Sequence, residues 1–313
     1  MNATPTIILD CDPGIDDAIA ILLAQGHPDI NLAAITTVGG NSSLHNVTHN
    51  ALALATLSNI TAPIAAGCAQ PLNNTYKNAT HIHGTDGIGG ITLPTPDRST
   101  DPRHGAQLII DTIMTNDPDT ITLVPIGPMT NIATAITIEP RIINRIHEVV
   151  FMGGSHGTGN VTPVAEFNIH ADPEAASIVL NADWPITMIG LDLTRQAIAT
   201  PEVITSIRNI NTTTATLVAD LLNTYSANYR TTGSSHTGAI VHDPCAVARV
   251  LAPTLITCIP APIHVEQHGT LTRGMTVTDL RTATTADCHT RTATHLNTDG
   301  FWELVRTALR HLP

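Results

Sequence analysis

The sequence predicts an α/β fold: a single large domain over residues 1–313, with a mostly parallel central sheet flanked by helices and the active site at the C-terminal ends of the strands. Two observations carry this prediction. Short apolar runs alternate with Gly- or Asp-bearing turns and helical stretches, and no linker or internal repeat interrupts the alternation. Hydrophobic residues make up 42% of the chain, enough for a substantial core, so the sheet can be covered on both faces.

Taken in order, residues 6–9 read as a short buried strand and 16–25 as a helix with apolar positions on most faces. A second apolar run, 32–38, ends in Gly39-Gly40-Asn41 and is followed by a helical stretch over about 43–57. The alternation returns in TITLVPIG (120–127) before PMTNIATAI, in EVVFMGG (148–154) and in PITMIGLDLT (185–194). Asp10 to Asp17, Asn41, Ile126-Gly127 and Met152-Gly153-Gly154 then all fall at strand ends, where they converge on one crevice. The segments 67–103 and 154–172 are longer than connections require, which marks them as functional loops. The Thr-rich stretch 282–298 reads as a polar edge hairpin.

Composition excludes several classes of function. Charged residues are 13% of the chain against about 25% in an average soluble domain, so Thr, Asn, Ser and His carry much of the surface. A formal net charge of -12, a single lysine (Lys77) and no basic run argue against a nucleic-acid partner. The five cysteines form no CxxC pair, and their odd number suits a reducing cytoplasm. The first residues lack a basic leader, and no apolar stretch approaches the roughly 18 residues of a membrane span. The Asn-x-Ser/Thr triplets at Asn46, Asn78 and Asn211 follow from the Asn and Thr content.

Asp10, Asp12, Asp16 and Asp17 stand within eight residues, between two apolar runs. Two of them, Asp16 and Asp17, fall in a first helical turn, where free N–H groups and the macrodipole favour negative charge by about 0.3 to 1 kcal/mol each. That leaves Asp10 and Asp12 unexplained. A hard divalent cation bound by oxygen ligands accounts for the cluster better, and the lack of Cys-rich or HExxH spacing argues against zinc. Asp243, in IVHDPCAVA, is either a helix N-cap or a further ligand. His45 and His49, at i and i+4, read as a polar helix face.

These residues also carry a resemblance. DCDPGIDDA (10–18) resembles the N-terminal signature of the inosine-uridine preferring nucleoside hydrolases, which cleave the N-glycosidic bond of ribonucleosides and hold Ca²⁺ with an aspartate cluster. TTVGGN (36–41), HGTDGIGG (83–90), GPMTNIA (127–133), VFMGG (150–154), AEFNIHADPEAA (165–176) and HDPCAVA (242–248) resemble further blocks in the family order, with RGMTVTD (273–279) weaker.

The resemblance implies a Rossmann-like nucleoside hydrolase fold and Ca²⁺ held by Asp12, Asp17, Asp243 and the backbone carbonyl of Ile126. Position 126 usually has a different side chain in close relatives, which a carbonyl ligand tolerates. It further implies that Asp12 is the general base toward a calcium-bound water, that Asp16 takes the ribose 2′-hydroxyl, and that Asn41, Met152, Asn160, Glu166 and Asn168 hold the other sugar hydroxyls. His242 would protonate the departing base, with His83, Phe167, Tyr225 and Tyr229 lining its pocket. Tyr225 and Tyr229, at i and i+4, could equally be core packing. Asp10, left off the metal, would brace the loop through backbone N–H groups.

The pattern is similar to the broad inosine/uridine branch rather than the purine-restricted one, whose pocket is marked by tryptophans; Trp184 and Trp302 lie outside the pocket blocks. The expectation is a cytoplasmic nucleoside-salvage enzyme, a homodimer or homotetramer acting on small ribonucleosides. Alternatives are a pyrimidine-restricted hydrolase and a non-catalytic nucleoside or calcium binder on the same scaffold. A phosphotransferase using Asp-x-Asp would need a lysine at the phosphate, and Lys77 lies outside every matching block. A dinucleotide enzyme would need GxGxxG before a helix, a spacing that GGSHGTGN lacks.

Overall fold

The computed structural model describes residues 4–73, 84, 86–231, 238–282, 284 and 288–313. The first half of the chain runs β1 (Thr6–Cys11), α1 (Ile15–Gly26), β2 (Asn31–Thr37), α2 (Leu44–Ser58), β3 (Ile64–Ala66), α3 (Gly105–Thr115), β4 (Ile121–Pro125), α4 (Thr130–Ile138) and β5 (Ile146–Met152). It continues with α5 (Phe167–Ala171), α6 (Pro173–Leu180), β6 (Ile186–Ile189), α7 (Leu191–Thr194), β7 (Ile198–Ala199), α8 (Pro201–Arg208), α9 (Thr213–Thr231), β8 (Ala239–Ile240) and α10 (Pro244–Leu251). The last elements are β9 (Ile256–Pro260), β10 (Ile263–Val265), β11 (Thr276–Thr278), β12 (Thr290–Leu296) and α11 (Thr298–Arg310).

The main sheet has the order β3-β2-β1-β4-β5-β6-β12-β9, parallel throughout except for the last pair. Strands with both faces covered must be apolar on both, and β1 and β5 are. Ile7, Leu9, Val150 and Met152 enter one core, while Ile8, Val149 and Phe151 enter the other. Helix α1 lies in the first of these cores against α11, α10 and α2, which explains why its apolar residues have no single face.

Leaving β1, the chain winds outward through β2 and β3, then returns to place β4 on the other side of β1. Strand order reverses there, and such a switch opens a crevice at the carboxyl ends of the two strands. Asp10 is aligned with Thr36 on β2 and Pro125 on β4, so the residues just after it enter that crevice.

Two expectations are corrected here. The stretch 282–298 is not an edge hairpin: β12 is an interior strand, parallel to β6 and antiparallel to β9. Thr290 Oγ1 donates to the Ala261 carbonyl, whereas the buried Thr292 Oγ1 has no partner among the described residues, so it is the β-branching of these threonines that suits them to a strand. The connection after β5 is also shorter than 154–172, because residues 167–171 form α5. Among the described residues no helix is long and apolar enough to cross a membrane.

Candidate active site

Helix α1 starts immediately after Pro13-Gly14, and Asp17 is what fixes its start. Its carboxylate accepts the Asp12 N–H at 3.0 Å and the Gly14 N–H at 2.9 Å, so it caps the helix and folds the preceding loop back on itself. Asn41, after β2, ties this loop to its neighbour. Its backbone N–H donates to Asp12 Oδ2 at 2.6 Å and its amide donates to Asp17 Oδ2 at 3.0 Å. Across the crevice, the His242 N–H donates to Asp16 Oδ2 at 3.2 Å.

Asp243 follows His242 at the head of α10, yet its side chain makes no cap hydrogen bond. It turns toward the other acids. Ligand atoms of Asp16, Asp17 and Asp243 lie within 4.8 Å of one another, and Asp12 adjoins Asp17.

All of these carboxylates are buried, and none pairs with Lys, Arg or His among the described residues. Burial pushes Asp16 up to about 7, and the neighbouring charge of Asp17 adds to the effect. Burial likewise raises Asp12 and Asp243 well above the carboxylate range, reinforced by Asp17 at the first and Asp16 at the second. Asp12 Oδ1 is buried without a hydrogen-bond partner among the described residues. It is walled in by Gly127, where an added Cβ would overlap it, while a Cβ at Gly40 would strike Oδ2. An all-oxygen cluster with an unanswered acceptor fits a hard cation, which would remove the repulsion that burial intensifies.

The second wall is built around Asn168, whose amide donates to the carbonyls of Ile126 at 2.9 Å and Met152 at 3.1 Å. Glu166 caps α5 by accepting the N–H groups of Asn168 at 2.9 Å and Ile169 at 3.2 Å, and it also takes that of Gly154 at 2.9 Å. Burial raises its carboxyl to about 7. Asn160 is exposed and accepts the Phe167 N–H at 3.0 Å. Thus Asp12, Asp16, Asp17, Asn41, His242 and Asp243 meet directly, and Ile126, Met152, Glu166, Asn168, Asn160 and Phe167 form a linked chain beside them.

On the remaining side, the His242 ring meets Thr194 Oγ1 through Nδ1 at 2.8 Å. Burial, then the positive charge of Arg195, lowers this imidazole to about 4, so the ring is neutral near pH 7. Tyr225 is buried on α9 within the first core, 2% exposed. His83 and the side chain of Tyr229 lie outside the described residues.

Asp10 differs from the sequence expectation. It braces the loop through side chains, accepting Thr36 Oγ1 at 2.5 Å and Asn131 Nδ2 at 2.7 Å, rather than through backbone N–H groups. Asn131 stands within the GPMTNIA block and Thr36 opens the TTVGGN block, so both had a signal in the sequence, whereas Thr194 had none to separate it from other threonines.

Fold and crevice together define a doubly wound α/β protein that can hold a cation beside a polar ligand at the switch point of its sheet. The family model described as inosine-uridine preferring nucleoside hydrolase matches residues 7–303. The chain is 51% identical to an inosine-uridine preferring nucleoside hydrolase of Leishmania major and 49% identical to that of Crithidia fasciculata, covering 98% of both chains in each case. Among solved structures it superposes on a purine-preferring ribonucleoside hydrolase from Gardnerella vaginalis with a TM-score of 0.91 at 33% identity, over 97% of this chain and 98% of that one. The chain belongs to the inosine-uridine preferring nucleoside hydrolase family and is a ribonucleoside hydrolase. The family is metal-dependent, and the acidic cluster of Asp16, Asp17 and Asp243 lies where an ion can be held.

Proposed function

We propose that the chain is a calcium-dependent hydrolase of broad inosine/uridine type, in which Asp12 is the general base and His242 the leaving-group acid. The observation that carries this reading is the buried Asp12 Oδ1, without a partner among the described residues, inside a cluster of carboxylates that no described cationic side chain answers. Asp12, Asp17, Asp243 and the Ile126 carbonyl would hold the ion, and their oxygen-only character favours calcium over zinc. Asp16, which borders the same cluster, would receive the ribose 2′-hydroxyl. Calcium in this position supplies the charge that acidifies and orients a water.

Asp12 takes the proton from an attacking water as the water oxygen bonds to the ribosyl carbon. The C–N bond breaks through an oxocarbenium-like state, and the carboxylates beside the sugar favour the developing positive charge. Asn41, Met152, Asn160, Glu166 and Asn168 hold the other sugar hydroxyls, which fixes the ring against the attacking oxygen. His242 delivers a proton to the departing base, and Phe167, Tyr225, Tyr229 and His83 line the space that the base occupies. We read the protein as a cytoplasmic homodimer or homotetramer serving nucleoside salvage.

The test compares inosine, uridine and p-nitrophenyl riboside in the parent and in His242→Ala. The parent should cleave both nucleosides, and the variant should lose about 10²-fold or more on inosine while p-nitrophenyl riboside, whose leaving group needs no proton, is little affected. Equal losses on both would remove His242 from the acid role. Cleavage of uridine with no action on inosine would make the enzyme pyrimidine-restricted.

A further inference from the structure

The chain leaving the carboxyl end of β5 crosses residues 155–160 without regular structure, and two of these residues are glycines, Gly157 and Gly159. Such a segment is free to move unless it is tied. It is tied from one side by a single short piece of chain, α7 and the Arg195 after it. Asp192 Oδ2 accepts the His156 N–H at 2.7 Å and stands 3.6 Å from Nε2 of the His156 ring. Its other oxygen lies against Gly157 so closely that a Cβ there would overlap it. Arg195 donates from Nη1 to Thr158 Oγ1 at 2.8 Å and from Nη2 to the Gly159 carbonyl at 2.9 Å.

From the opposite side Thr276 both gives and takes. Its Oγ1 accepts the Ser155 N–H at 2.8 Å and donates to the Ser155 carbonyl at 2.6 Å. Ser155 Oγ closes the turn by donating to the Thr158 carbonyl at 3.0 Å. Residues 155, 156, 158 and 159 are therefore each held, and the next residue is Asn160. Asn160 uses Oδ1 on the Phe167 N–H, and its amide nitrogen has no partner among the described residues. The same piece of chain also holds the base-side histidine, through Thr194 and His242 Nδ1.

We infer that Asp192 and Arg195 are positioning residues, a two-point clamp that presents Asn160 to the sugar while the adjoining Thr194 sets the His242 ring, so that one segment fixes both ends of the ribonucleoside. This rests on the reading that Asn160 holds a sugar hydroxyl. A loop ordered before binding does not lose its freedom when substrate arrives, and a guanidinium suits the task because its planar fork meets two acceptors at once.

The experiment measures KM and kcat for inosine in Arg195→Met, Arg195→Lys, Asp192→Asn, Asn160→Ala and the Arg195→Met/Asn160→Ala double variant, with circular dichroism confirming folding. Arg195→Met should raise KM about tenfold or more because the lost hydrogen bonds orient a binding group, and any accompanying change in kcat reports the charge that Arg195 places near His242. Arg195→Lys, which keeps the charge and one donor direction, should recover part of the loss. The double variant should be no worse than the more affected single variant, since both changes remove the same contact.

Independent, multiplying effects would show that Arg195 does not act through Asn160 and would overturn the clamp. If Asn160→Ala raises KM and neither Arg195→Met nor Asp192→Asn does, the clamp fails while the sugar reading of Asn160 stands. If Asn160→Ala leaves KM unchanged, the sugar reading itself fails and the clamp falls with it. Should Arg195→Met not fold, Asp192→Ala is measured in its place: it removes the acceptor of the His156 N–H, and an unchanged KM there overturns the proposal.

Discussion

Asp12 and Asp16 sit in the same crevice, yet their surroundings differ. Asp16 Oδ2 accepts the His242 N–H and Asp12 Oδ2 that of Asn41, whereas Asp12 Oδ1 has no donor among the described residues. A buried acceptor without a donor costs on the order of 1 to 3 kcal/mol, more when charged, and a cation offsets that cost directly. The two residues therefore separate by substitution. Asp12→Asn should lose about 10³-fold or more in turnover together with most of its calcium affinity in titration calorimetry. Asp16→Asn should retain much of the calcium affinity but lose the preference for ribonucleosides over 2′-deoxyribonucleosides. Equal loss of calcium binding in both variants would place Asp16 among the ligands and remove its distinction from Asp12.

At the scale of elements, the loop from β1 to α1 works only because glycines on two other strand ends make room for it. Gly40 follows β2 and Gly127 follows β4, and an added Cβ at either would overlap the Asp12 carboxylate. Gly127→Ala should turn Asp12 away, lowering kcat by at least about tenfold with a smaller effect on melting, since the backbone there needs no left-handed conformation. Normal turnover in that variant would show that the carboxylate has slack. The β1 loop, its acids and Asn41 were legible because alternating apolar runs put them at strand ends, and a strand end in a doubly wound sheet is a site. Asp243 was ambiguous from the sequence, as an Asp before Pro reads equally as a helix cap; its side chain makes no cap bond and lies with those of Asp16 and Asp17. Strand β12 was misread because Thr-rich sequence looks like surface; the acceptor that satisfies Thr290, the Ala261 carbonyl, lies 29 residues away. The Thr36 and Asn131 bonds to Asp10 were invisible for the same reason, spanning 26 and 121 residues.

Across the whole molecule, burying so many acids makes stability depend on pH in an unusual direction. Glu166 illustrates it, because burial raises its folded value to about 7 from an ordinary 4.5. Below 4.5 the group is protonated in both the folded and unfolded states and carries no penalty. As pH rises from there toward 7 the unfolded chain releases its proton first, so stability falls. Chemical denaturation between pH 4.5 and 7 should show Glu166→Gln escaping part of this decline, by no more than about 3 kcal/mol. Parallel slopes in parent and variant would mean that the hydrogen bonds from Gly154, Asn168 and Ile169 keep the group ionised.

The most direct measurement is ribose release from inosine, uridine, cytidine, adenosine, guanosine and their 2′-deoxy forms, before and after treatment with EGTA. Hydrolysis of several ribonucleosides, weak action on the deoxy forms, loss of activity with EGTA and its return with calcium but not zinc is the predicted result. Turnover that survives complete removal of calcium, or a folded and calcium-loaded protein that releases no ribose from any of them, would contradict it.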